Sequence, residues 1–177
     1  MKDPLADNQP APVIFERERG VYAIDLIRHL AHAVVEVAQG DELQANYLRV
    51  LRILADAEIP IFCVKLHRTA VTLSCAEADL SLAEEALTGS GLRVETRRNL
   101  CLVAVRAAAM RDLYGVMSGI SDALSSAHAT IYATIDSHNS VQCLIEEARL
   151  EAGLLALRQR FNLAENTIRE NVMEVEA

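Results

Sequence analysis

Residues 33–54, AVVEVAQGDELQANYLRVLRIL, decide the fold, because the hydrophobic period changes inside them. Ala33–Val37 runs apolar as a strand. Asp41 then stands three residues ahead of Gln44, the spacing of a capping box. From there Tyr47, Val50, Leu51 and Leu54 recur at helical spacing and give one apolar face. The stretch therefore predicts a strand followed at once by an amphipathic helix.

Working outward, Ile59–Leu66 and Ala70–Ser74 read as two strands around a short polar turn. Ala78–Leu87 reads as a helix stopped by Gly89 and Gly91, and Leu92–Thr96 as a further strand. The order is β-α-β-β-α-β. The same order returns downstream at one fixed offset (115 − 45 = 70 residues), with no gap needed. At that offset Val35 meets Val105, Leu54 meets Leu124, Ile61 meets Ile131, Phe62 meets Tyr132 and Val71 meets Val141. The pair Ala86-Leu87 likewise meets Ala156-Leu157. The chain reads as two copies of one unit.

In the second copy Leu100–Arg106 is a strand and Asp112 the N-cap of a helix to about Ala127. Thr130–Ile135 and Val141–Glu146 follow as strands, and Leu150–Phe161 as a helix. No fourth strand follows in sequence. Upstream, Val13–Phe15 and Val21–Ile27 read as strands around Arg19-Gly20, and one of them can complete the second sheet. The expected fold is α+β: two tandem ferredoxin-like βαββαβ units, each an antiparallel sheet with helices on one face. The expected division is a leader over residues 1–20, a first unit over 21–98, a second over 99–163 and an acidic tail over 164–177. That tail, polar from Asn162, reads as a short helix or a frayed end.

Composition limits the functional classes. The 177 residues are 51% hydrophobic and 24% charged, enough for a packed core, which excludes disorder of the whole chain. The net charge of -8 gives a field that repels phosphate backbones and anionic lipid. Arg93, Arg97 and Arg98, with Glu95 among them, make only a small basic edge, so no nucleic-acid partner is expected. Met1–Pro12 lacks the apolar core of a secretory signal, and no uncharged run approaches a membrane span. Cys63, Cys75, Cys101 and Cys143 sit in apolar stretches without CxxC spacing, which fits buried thiols in a reducing compartment. A cytoplasmic protein without membrane contact is expected.

Val103, Met110-Arg111, Tyr114-Gly115, Ile120, Ala123-Leu124, the turn Ser137-His138-Asn139-Ser140-Val141 and Ala156-Leu157-Arg158 to Phe161 together resemble the second ACT domain of aspartate kinases. Leu54-Ala55-Asp56-Ala57 resembles the helix end of the first. The resemblance implies a regulatory pair that binds a free amino acid, such as lysine or threonine, between two chains whose sheets join edge to edge. The implied ligand residues are Met110, Arg111, Asp112, Leu113, Tyr114 and Gly115 with His138 and Asn139, and Asp41, Glu42 and Gln44 in the first copy. Unpaired amides at a helix start, backed by the macrodipole, suit a carboxylate, and Asp112 suits an ammonium. On the other reading Asp112 only caps its helix, and Gly115 and Gly119 only permit close packing. The first copy departs from the family, with Gln44-Ala45 where Pro-Gly is usual and Glu42 where Asp is. Tyr114 replaces a proline in the second.

Catalytic and metal readings are weaker. His29 with His32, and Cys63 with His67, have ligand-like spacing, but neither set completes a metal quartet. Asp136-Ser137-His138 places triad types side by side on a turn, where neighbours point apart. Arg111 and Asn139 match the residue types of acylphosphatases without the surrounding motif. No cofactor, metal or catalysis is expected. The leading expectation is a non-catalytic amino-acid sensor, a homodimer that joins an aspartate-kinase-type catalytic chain or another regulated protein. The alternatives are a dimerisation module that has lost its ligand, and a regulator similar to glycine-cleavage repressors.

Overall fold

The computed structural model describes residues 20–40, 42–108 and 110–170, the side chain of Arg111 excepted. Most of the leader, the strand read at Val13–Phe15, the cap Asp41 and the tail from Asn171 lie outside the described residues. The elements run β1 (Gly20–Glu36), α1 (Leu43–Asp56), β2 (Phe62–His67), β3 (Ala70–Ala76), α2 (Leu80–Gly89) and β4 (Val94–Ala108). They continue with α3 (Val116–Ser126), β5 (Ala133–Asp136), β6 (Ser140–Glu146), α4 (Leu150–Phe161) and β7 (Ile168–Glu170). Strand order is β2-β3-β1-β4-β6-β5, with β7 paired parallel to β1.

Two long strands organise this order. β1 and β4 pair antiparallel along their length, and their register breaks on either side of the Leu30↔Leu100 pair. Arg28 and His29 bulge from β1 on one side, Arg98 and Asn99 from β4 on the other. His29 (φ 59°) and Asn99 (φ 57°) are left-handed. The pairing repeats itself across this point: Ile24↔Val105 in one arm corresponds to Val94↔Val35 in the other, each shifted by 70 residues (94 − 24, 105 − 35). Each arm thus builds one ferredoxin-like sheet. The first uses β2, β3 and the near halves of β1 and β4; the second uses the far halves with β6 and β5.

Helices α1 and α2 cover Ala31, Ala33, Val35, Val71 and Leu73 of the first sheet, while α3 and α4 cover Ile24, Leu26, Val103, Val105 and Val141 of the second. A third cluster, Leu30, Cys63, Leu100, Leu102, Ala133 and Leu144, joins the units through faces that carry no helix. Leu100–Ala104 is buried on both faces, so that segment runs apolar without alternation. Each large side chain buried this way contributes about 1.5–3 kcal/mol.

Several expectations need correction. Val21–Ile27 and Ala33–Val37, up to Glu36, belong to one strand, as do Leu92–Thr96, from Val94, and Leu100–Arg106, because the polar residues between them are bulges, not loops. Val21–Ile27 does complete the second sheet. Asp112 does not cap α3. It lies in a 3-10 turn, Met110–Asp112, and the cap position is Gly115. At α1 the cap position is Glu42, which makes no side-chain capping bond. β2 begins at Phe62 and β5 at Ala133, later than read. The start of the tail forms β7 instead of fraying, because Ile168 packs on the second core and Glu170 reaches Arg28 at 2.9 Å.

Candidate functional site

The segment joining β4 to α3 is shaped by what its residues bury. Met110 and Leu113 turn their side chains onto the second core, so they anchor the loop instead of lining a ligand site. Gly115 follows in the left-handed region (φ 77°), where a Cβ would meet only Ser118 Oγ at 3.6 Å. Glycine is required there by backbone conformation, not by space. No side chain caps α3, and its first-turn amides suit an anion by dipole and geometry. Asp112 is exposed, and Tyr114 and Met117 are 99% and 41% exposed. Gly119 makes room for Arg160 of α4, whose Nε would lie 3.1 Å from an added Cβ.

The β5–β6 turn sits beside this loop, because Ala107 N donates to Asn139 O at 3.0 Å just where β4 ends. Its wiring is internal: Ser137 N donates to Ser140 O at 2.8 Å, and Ser140 N to Ser137 Oγ at 3.1 Å. Asn139 Oδ1 accepts from Arg106 Nη1 at 3.2 Å and from Ser137 Oγ at 3.1 Å. The side-chain oxygen of Asn139 is therefore committed to positioning, while His138 projects exposed at the apex. Ser137 bonds within the turn and makes no serine–histidine pair among the described residues.

Sequence reasoning missed Asp25 and Arg106. Arg106 Nε donates to Asp25 Oδ2 at 2.7 Å across 81 residues of chain, and Asp25 is only 8% exposed. A single charge inside each of two apolar strands was the available signal, since a charge buried there must find a partner. Asp25 Oδ1 has no hydrogen-bond partner among the described residues.

The matching region of the first unit differs. Leu43 N donates to Gly40 O at 3.2 Å, and α1 starts at Leu43, so Gln44 and Ala45 lie inside its first turn. Glu42 and Gln44 are exposed. Beside them a shallow groove of about 340 Å³ is lined by Glu36, Asn46, Arg49 and Arg93, not by the residues read from the sequence. Arg49 donates to Ser90 O there, and Arg93 pairs with Glu36 at 3.7 Å.

No group of three or more metal-ligating side chains gathers among the described residues. His29 is exposed near Glu147, whereas His32 is buried against Ser74. All four cysteines are free and buried, and burial pushes the Cys63, Cys75 and Cys143 thiols up to about 11 and Cys101 to about 12. They are poor nucleophiles. No helix among the described residues is long and apolar enough to cross a membrane.

Fold and loop together define a pair of ferredoxin-like units joined through two shared strands. Residues 95–159 match the family model of the ACT domain. The chain also resembles solved structures of aspartate kinase regulatory regions. One is the regulatory subunit of aspartate kinase from Thermus flavus, with 19% identity and TM-score 0.71 over 81% of this chain and 99% of that one. Another is a structure of aspartokinase alpha and beta subunits, with 22% identity and TM-score 0.74 over 81% of this chain and 100% of that one. A third is aspartokinase III of E. coli in complex with lysine and aspartate, with 18% identity and TM-score 0.65 over 82% of this chain and 34% of that one. No curated protein matches the sequence. The match to the ACT-domain model spans residues 95–159, and the fold as a whole resembles the regulatory region of aspartate kinases.

Proposed function

We propose that this protein is a non-catalytic regulatory subunit that binds a free amino acid at the Met110–Gly115 loop and passes the event to a catalytic chain of the aspartate-kinase type. The carrying observation is the loop itself: an uncapped helix start, a left-handed Gly115 and an almost fully exposed Tyr114 with no packing of its own. The amides suit the ligand carboxylate and Asp112 its ammonium, while Tyr114 is the surface a second copy would cover. The effect is a population shift, which requires different ligand affinity for two arrangements of the dimer. Four buried thiols without a disulfide suit work in the reducing cytoplasm.

A second reading, a dimerisation module without ligand, has its own support. β2 is the outer strand of the first sheet, and its Val64 and Leu66 are 39% and 53% exposed. Their counterparts on β5 are Thr134 and Asp136. An apolar free edge invites strand pairing with another chain. Thermal unfolding against millimolar lysine, threonine and methionine separates the readings. Selective binding at a hundredfold excess over Kd stabilises by about 2.7 kcal/mol. No shift with any free amino acid overturns the sensor and leaves the dimerisation module.

A further inference from the structure

The faces that carry no helix meet at a seam where three basic side chains, His32, Lys65 and Arg97, gather. His32 lies in register with Arg97 on β4 and Ser74 on β3, and is 7% exposed. Its Nδ1 lies 3.2 Å from Ser74 Oγ. From β2, Lys65 reaches across to Thr134 Oγ1 at 3.4 Å, and Arg97 stacks over the Tyr132 ring at 4.7 Å. Both basic side chains thus hold the second unit's segment Tyr132–Thr134 over the first sheet. Cys63, also on β2, is buried in the seam. Glu146 of β6 is the carboxylate bonded to Tyr132, and its oxygens already accept from Tyr132 OH and Thr130 N, each at 2.8 Å. Glu95 on β4 lies in the next row outward, opposite Val34, and is exposed. Neither Lys65 nor Arg97 has a carboxylate partner among the described residues.

A proton on His32 makes a third cation in this seam, in a site from which water is largely excluded. Burial holds its pKa below the ordinary value; a backbone bond at Leu73 opposes this, and the charges of Arg97 and Lys65 reinforce it. Among the described residues the backbone links between the units at this level are β1 and β4, which both turn through left-handed residues beside the seam, His29 and Asn99. We propose that the seam is a proton-operated hinge: protonation of His32 parts the two faces, and the units swing about the bulges at His29 and Asn99.

The sign follows from linkage. The folded, closed form binds the His32 proton less readily than the open form, so its advantage is complete above about pH 6.5 and is lost as pH falls below it. Hydrogen exchange at pH 7.5 and 5.5, corrected for intrinsic rates, tests the hinge on the full chain. The account expects opening of Phe62–Lys65 and Ala133–Ile135 to grow up to about tenfold per pH unit below 6.5, while amides of α2 and α4 keep their protection. His32→Gln removes the effect, and the control His128→Asn, at an exposed left-handed position just past α3 and outside the seam, keeps it. An unchanged pH response in His32→Gln, or none in the native chain, overturns the hinge. NMR titration of the native chain gives a reading free of any variant: Tyr132 ring signals follow the His32 titration if the seam opens, and staying fixed through it contradicts the proposal.

Discussion

The two units share one backbone plan, and a single position separates their loops. In the second, Gly115 takes a left-handed conformation and α3 waits until Val116; in the first, the residue at the same place is Ala45, and α1 has already begun at Leu43. Alanine favours the helix by about 1 kcal/mol over glycine, so the first unit winds up the turn that the second leaves open. A second contrast lies on the faces that carry no helix. Where the second unit buries Asp25 with Arg106 and Asn139, the first has Glu95, Glu36 and Thr69, and both glutamates are exposed. Duplication supplied two scaffolds, and only one keeps an open loop beside a pinned turn.

The largest expected break in this comparison is at the buried pair. Asp25→Ala leaves the Arg106 charge without its partner in a mostly buried position and costs about 3 kcal/mol in chemical denaturation. The counterpart Glu95→Ala changes stability by less than about 0.5 kcal/mol. Equal effects at both positions would show that the units are energetically alike.

Next in size is the loop exchange. Gly115→Ala forces a Cβ into the left-handed region at a cost of about 1–2 kcal/mol and abolishes ligand-induced stabilisation. Ala45→Gly costs about 1 kcal/mol at most and leaves the ligand response intact. The smallest contrast is at the two bulges. Arg28 reaches Glu147, Glu151 and Glu170 at 2.9–3.3 Å, whereas among the described residues its counterpart Arg98 holds only Ser81 Oγ at 2.9 Å. Arg28→Met therefore lowers stability by about 1 kcal/mol, an effect that shrinks in high salt, and Arg98→Met by less than about 0.5 kcal/mol.

The repeat was legible in the sequence because local chemistry carried it. The strands at Ala70 and Ser140, the turns at Glu77 and Glu147 and the helices at Leu80 and Leu150 begin 70 residues apart (140 − 70, 147 − 77, 150 − 80). What the sequence hid was non-local. Arg28-His29 and Arg98-Asn99 look like loop residues, yet each is a bulge in a strand whose continuity depends on a partner far along the chain. β7 is three residues long and exists only because β1 offers it an edge. Asp112 has the residue type of a cap but stands before a glycine whose left-handed geometry resets the helix start. Of the candidate ligand residues, Asp112, Tyr114, Gly115 and His138 in the second unit and Glu42 and Gln44 in the first stand exposed. Met110, Leu113 and Asn139 are engaged in holding the loop and turn.

The central claim, one open loop among two copies, is tested most directly by calorimetric titration of the native chain with the amino acid that stabilises it most. The account predicts one site per chain, lost in Gly115→Val while the unliganded protein still unfolds cooperatively, and retained in Ala45→Val. Two equivalent sites per chain, or full binding by Gly115→Val, would contradict it.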